Sequence, residues 1–264
     1  MNESASRLTL AVPLLAVAAG VAVACTAVYL WPSTSSAIPA PGSEVGTRLD
    51  GRLPSDIAHL PLVDRNGRPT DLAEFHGKTL MVSDTMTLCQ ETCPLDTADL
   101  VQTARQVDAQ GQGANVEFLT ITIDPSRDTP AQMNAYRRLF QPAPSNWHTL
   151  TGSPADIAKL WTYLGVYIEK VPEGTPPSVN WRTNQPLTYD LDHSDEVFFL
   201  DKEGSERYVL DGVGHIASGA SVPPRLLKYL DAQGRQNMTA PAAQGWTVPQ
   251  ALDALSWLLQ HDVS

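Results

Sequence analysis

Apolar positions change their period several times between residue 49 and the C-terminus, and each change marks an element. Thr79-Leu-Met-Val-Ser is a short apolar run that reads as a buried strand. From Pro94 to Gln110 the apolar residues Leu95, Leu100, Val101, Ala104 and Val107 have helical spacing, and Gly111 ends the pattern. Val116 to Asp124 is rich in β-formers and is closed by Pro125. Thr129-Pro130 then opens a second helix to about Phe140, with threonine as cap and proline at the first helical position. Trp147 to Leu150 predicts a strand, and Ser153-Pro154 opens a third helix ending near Gly165. Glu196 to Leu200 and Arg207 to Asp211 predict two strands about the turn Asp201-Lys-Glu-Gly204, and Pro249 to Gln260 a last helix. Earlier, Leu60 to Thr70 reads as a hairpin turning at Asn66-Gly67. Strands alternating with helices call for an α/β domain, a central mixed sheet flanked by helices. Residues 171–188 and 212–247 lack periodicity and are rich in Pro, Gly and polar residues, the signature of insertions or mobile segments.

The N-terminus follows a different pattern. Leu8 to Trp31 is apolar without a charge, long enough to cross a bilayer as a helix, with Tyr29 and Trp31 suited to the headgroup boundary. Arg7 precedes it and no Lys or Arg follows until Arg48. The positive-inside rule therefore keeps the N-terminus cytoplasmic and exports the rest: a single-pass protein of the cell membrane with an extracytoplasmic domain. Cleavage after Ala-Val-Ala at 16–18 or 22–24, or lipidation at Cys25, are the competing fates, and each leaves the domain on the same side. The organisation expected is an anchor or signal segment at 1–31, a flexible tether at 32–48 and one domain over 49–264.

Composition narrows the function. A formal charge of -11 disfavours nucleic acid, because phosphate binding needs a basic surface. No phosphate loop, His-Glu-x-x-His or nucleophile elbow occurs, so a metal or redox role is favoured over hydrolytic chemistry. Of three cysteines, Cys25 lies in the apolar stretch, which leaves one pair, Cys89 and Cys93, four residues apart and followed by Pro94. Two thiolates can hold a soft metal or cycle between dithiol and disulfide, and with an imidazole such as His193 they form a three-coordinate set suited to Cu(I). Spacing alone does not bring His193 to the pair. With Cys93 as the cap of the following helix, the positive helix end should favour the thiolate at Cys93. Met86 is a candidate soft auxiliary ligand, and His215 is kept as a reserve ligand.

Taken together these residues resemble the Sco/SenC family of membrane-anchored, copper-binding, thioredoxin-like proteins. The resemblance rests on the anchor, Cys89-x-x-x-Cys93-Pro94, Thr122-Ile-Asp124-Pro125-Ser-Arg127-Asp128-Thr129-Pro130, Trp147, Leu150-Thr151-Gly152, Leu164-Gly165-Val166-Tyr167, Asp192-His193-Ser194 and Leu200-Asp201-x-x-Gly204. It implies a thioredoxin-like fold, copper (Cu(I) or Cu(II)) on Cys89, Cys93 and His193, and a supporting role for Asp124. It also implies a metallochaperone rather than an enzyme, delivering copper to the dinuclear copper site of cytochrome c oxidase subunit II or another copper-site protein. The alternative is a thiol–disulfide oxidoreductase or redox sensor using Cys89 and Cys93 as its redox pair. The chain departs from the family pattern at Val82-Ser-Asp-Thr-Met-Thr-Leu88, where an aromatic and glycine run is usual, and at Gln90-Glu91. Its 212–247 stretch is also longer.

Overall fold

The computed structural model describes residues 37–240 and 245–264. The apolar stretch 8–31 lies outside them, and among the described residues no helix is long and apolar enough to cross a membrane. The hairpin and the buried strand come first, as β2 (Leu62–Asp64), β3 (Pro69–Thr70) and β4 (Thr79–Thr85). Helix α2 (Cys93–Ala109) connects β4 to β5 (Val116–Thr122), and α3 (Pro130–Arg137) connects β5 to β6 (Trp147–Gly152). Helix α4 (Pro154–Leu164) follows, and β9 (Glu196–Leu200) and β10 (Ser205–Asp211) form the second hairpin. The last helix is α7 (Val248–Leu259). With β1 (Thr47–Arg52) these strands make an eight-stranded sheet in the order β1-β10-β9-β4-β5-β6-β2-β3. Strands β4, β5 and β6 are parallel and the other pairings antiparallel, which is the mixed sheet expected.

Alternation along the strands divides the interior into two cores. On β4, Met81 joins one face with Phe118, Trp147, Phe199, Tyr208 and Trp246. Leu80 and Val82 join the other with Leu119, Ile121, Leu150, Trp161 and Phe198. Every residue of β4 is buried, as befits a central strand covered on both faces. The predicted caps are in place, with Thr129 accepting from the Gln132 N–H and Ser153 from the Asp156 N–H; α7 carries in addition a capping box of Thr247 with Gln250. Gly165 ends α4 at φ 84°, a left-handed position that glycine takes without a Cβ clash.

Elements also appear where no periodicity announced them. Strand β1 takes in Thr47 and Arg48 and pairs with β10, and ahead of it the Ile38 N–H donates to Gln260 Oε1 (3.0 Å). The 171–188 region is the connection of a small hairpin, β7 (Ile168–Val171) against β8 (Asp190–His193), in which Ile168 faces His193. The 212–247 region contains β11 (Val213–Gly214) paired in parallel with β12 (Gly245–Trp246). Between them lie α5 (Pro224–Tyr229) and α6 (Ala232–Thr239), and before β2 comes the short α1 (Ser55–Ala58). The 212–247 region is anchored on α2: Asp96 accepts from the Gly214 N–H (2.5 Å) and from Trp246 Nε1 (3.0 Å), and Asp99 from the Ala217 N–H (3.0 Å).

Candidate metal centre

Strand β4 ends at Thr85, and the loop that follows folds back on two sulfurs before α2 begins. The Cys89 N–H donates to Met86 O (3.0 Å), closing a turn that points the Cys89 side chain inward. Its Sγ accepts the N–H groups of Glu91 and Thr92, both at 3.4 Å. Cys93 Sγ accepts the Met86 N–H at 3.3 Å. Thr92, not Cys93, is the cap of α2, so Cys93 and Pro94 take the first two helical positions, where proline's missing N–H removes no helix bond. Both thiols are free and buried, Cys89 at 6% exposure and Cys93 at 1%.

His193, the last residue of β8, reaches the pair from the other side. Its Nε2 lies 3.8 Å from Cys93 Sγ, and the donor atoms of Cys89, Cys93 and His193 all fall within 4.8 Å of one another. The opposite ring nitrogen, Nδ1, faces Ser194 O at 3.1 Å, the Asp84 carboxylate at 3.3 Å and the Asp195 carboxylate at 3.7 Å. A carboxylate behind the imidazole fixes ring orientation and tautomer and raises ligand basicity, the usual arrangement behind a metal-bound histidine. Asp84 is the penultimate residue of β4 and is 5% exposed. A charged residue in an otherwise uncharged strand was the signal available in the sequence, and neither it nor Asp195 was singled out there.

Electrostatics assign the protons. The hydrogen bond from Cys93 holds the Cys89 thiol well below its ordinary value despite burial, with His193 helping. Burial, and then the adjoining Cys89 sulfur, pushes the Cys93 thiol well above its ordinary value. Burial alone would lower His193, but the Asp84 hydrogen bond, Cys89 and Asp195 outweigh it and push the imidazole up to about 12. These directions make Cys89 the more readily ionised sulfur, next to a raised Cys93 thiol and an imidazole that favours its protonated form. The expectation of a thiolate at Cys93 is corrected: the helix end is outweighed because Cys93 is the deeper sulfur and acts as donor to its neighbour.

Asp124 is 3% exposed and belongs to a second layer, accepting from Tyr189 Oη (2.8 Å) and pairing with Arg127. The Met86 side chain is buried and its Sδ is 3.1 Å from Arg127 Nη2. His215 follows β11, its N–H donating to Trp246 O (2.8 Å), and it is in neither three-donor cluster found among the described residues. A cavity of about 450 Å³ opens over Cys89 and His193, walled by Glu91, Glu173, Asp190 and Asp231. The outer side of the cysteine loop is covered by α5 and α6: Tyr229 Oη donates to Leu88 O (3.0 Å), the Asp231 N–H to Gln90 O (3.2 Å) and Asn237 Nδ2 to Glu91 O (3.4 Å). Gly234 permits this approach, since a Cβ there would lie 2.1 Å from Gln90 O.

Two thiolates and one imidazole, close together and shielded from water, are a soft and low-coordinate donor set. Zinc sites ordinarily need a fourth ligand, whereas Cu(I) is satisfied by three soft ones.

The sequence profile of the SCO1/SenC family matches residues 56–221, more than half of the chain and all three donors. The bovine mitochondrial SCO2 homolog (Bos taurus) is 32% identical over 143 residues, covering 54% of this chain and 49% of its own. The chain thus spans about half the length of that curated relative. Among solved structures, a SCO1/SenC family lipoprotein from Bacillus anthracis superposes with a TM-score of 0.50 at 22% identity, covering 69% of this chain and 94% of its own. BsSco, described as a member of the Sco family of cytochrome c oxidase assembly proteins, has a TM-score of 0.45 at 16% identity and covers 75% and 99%. The fold shared with the Bacillus anthracis protein is the mixed α/β, thioredoxin-like arrangement described above.

Proposed function

We propose, from the premise that this chain belongs to the SCO1/SenC family, that it is a copper metallochaperone assisting assembly of the dinuclear copper site of cytochrome c oxidase. The observation that carries the reading is the meeting of Cys89, Cys93 and His193 within 4.8 Å, on segments separated by a hundred residues. Copper is cargo here. The two sulfurs and Nε2 hold it, Asp84 and Asp195 fix the imidazole, and burial excludes water that would compete for it. Transfer proceeds by ligand exchange: an incoming thiolate, thioether or imidazole displaces His193 or one cysteine, so copper is never free. Family membership supports cytochrome c oxidase as the destination, with subunit II as recipient. The apolar run 8–31 supports a single-pass anchor that holds the domain outside the cytoplasmic membrane.

The test is Cu(I) titration of the reduced protein beside His193→Ala. One tightly held copper in the parent, weakened by at least tenfold in the variant, is the expected result. Equal binding in both would remove His193 from the site. A second reading is favoured by the Cys89 thiolate next to a neutral Cys93, the pairing that a thiol–disulfide exchanger uses for attack and resolution. It predicts that His193→Ala leaves exchange with a partner disulfide intact while no copper binds tightly to the parent.

A further inference from the structure

His193 arrives on a hairpin that is not part of the eight-stranded sheet. Strand β8 pairs only with β7, and an isolated two-stranded hairpin is marginal in water. The distance from His193 to the sulfurs therefore depends on what ties β8 to the cysteine loop. Arg127, in the turn after β5, is placed to do so. Its Nη1 donates to Tyr189 O (2.5 Å), the carbonyl immediately before β8. Its Nη2 lies 3.1 Å from Met86 Sδ, its Nε pairs with the Asp124 carboxylate, and its guanidinium stacks 3.9 Å above the Tyr189 ring. Met86 in turn supplies the N–H on Cys93 Sγ and the carbonyl that turns Cys89 inward. The Arg127 side chain is 14% exposed, and none of its partners is a donor of the site.

We infer that Arg127 is a positioning residue: it fastens the histidine hairpin to the cysteine loop and so sets the spacing between imidazole and sulfurs. The planar fork matters because it serves a carboxylate, a carbonyl and a thioether in three directions at once, which an ammonium cannot do. This rests on reading the three donors as a copper site. Its prediction is specific to His193: the two sulfurs share one loop closed by its own bonds, whereas Asp84 and Asp195 orient the imidazole but the backbone that carries it lies in a strand whose partner is β7.

The experiment compares the parent, Arg127→Gln, His193→Ala and the double variant for Cu(I) affinity, with nitrogen hyperfine coupling of the Cu(II) form and thermal melting recorded on each. Arg127→Gln should weaken copper binding about tenfold or more and diminish the imidazole nitrogen coupling while thiolate-to-copper absorption persists. In the double variant the loss should be no greater than in His193→Ala alone, the mark of two residues acting through one contact. Arg127→Lys should recover melting temperature more than affinity, and it carries the same test if Arg127→Gln does not fold. Full nitrogen coupling in both Arg127 variants, or losses that add in the double variant, would overturn the positioning role while leaving the copper site standing. A parent that binds no copper, or binds it without nitrogen coupling, would overturn the copper reading and this inference with it.

Discussion

Loading the site with Cu(I) should expel about two protons, and the affinity should change accordingly with pH. Cys93 holds its proton because its thiol is raised, His193 holds one because its imidazole is pushed up to about 12, and the lowered Cys89 thiol gives its proton up most readily. Metal coordination needs thiolates and a neutral imidazole, so the Cys93 and His193 Nε2 protons must leave. Each unit fall in pH then weakens binding about a hundredfold, or about 2.7 kcal/mol, across the range in which both groups are protonated when empty. The largest single support of the imidazolium is Asp84. At 3.3 Å and an effective dielectric near 20, its attraction is worth about 5 kcal/mol, nearly four pKa units and most of the rise at His193. Asp84→Asn should therefore bring His193 down toward about 8 and cut the proton release to about one only above that pH. The assay is competition with a Cu(I) chelator of known protonation at several pH values, joined to calorimetry in two buffers of different ionisation heat. A parent that releases no proton, or a variant that releases as many as the parent, would refute the assignment of charges.

Two further outcomes are expected. Burial, with the nearby charge of Asp124, pushes the Asp128 carboxyl up to about 7 against hydrogen bonds from Thr87 and Thr122. A folded value above the unfolded one stabilises below about pH 4 and is lost as pH rises through 7, a swing of up to about 4 kcal/mol. Urea unfolding of Asp128→Asn should accordingly lose less stability between pH 4 and 7 than the parent, and parallel curves would contradict this. Tyr229→Phe removes the bond to Leu88 O, worth about 1 kcal/mol, and should speed alkylation of Cys89 about fivefold through local opening of the loop. An unchanged rate would show that α5 does not restrain that loop.

The succession from β4 to α4 was legible because each member carried a strong signal: a continuous apolar run in a doubly covered strand, or a cap and proline at a helix start. Strand β1 was not, because in Thr47-Arg-Leu-Asp-Gly-Arg52 one face is wholly charged and the other has Leu49 as its one large apolar residue, and the strand rests at a sheet edge, where pairing rather than burial holds it. The β7–β8 hairpin was hidden for the same reason, with Glu169, Lys170, Asp190 and Asp192 occupying its strands. The meeting of His193 with the cysteines came from family resemblance, since a hundred residues of spacing carry no distance. The proton distribution within the pair could not be read at all, because it depends on which sulfur lies deeper and on a carboxylate, Asp84, from another element.

The covering of the cysteine loop by α5 and α6 bears on what happens when the metal leaves. Helices α5 and α6 lie beyond residue 221, where the family match stops, yet they bind three carbonyls of the loop from outside while its own N–H groups bind the sulfurs from within. Fixing a free backbone costs roughly 1–2 kcal/mol per residue, which an unrestrained loop would have to repay at every loading. Here that ordering is already complete on folding. A loop restrained in this way has little order to gain from its cargo or to lose on release, so the empty site is already shaped for loading.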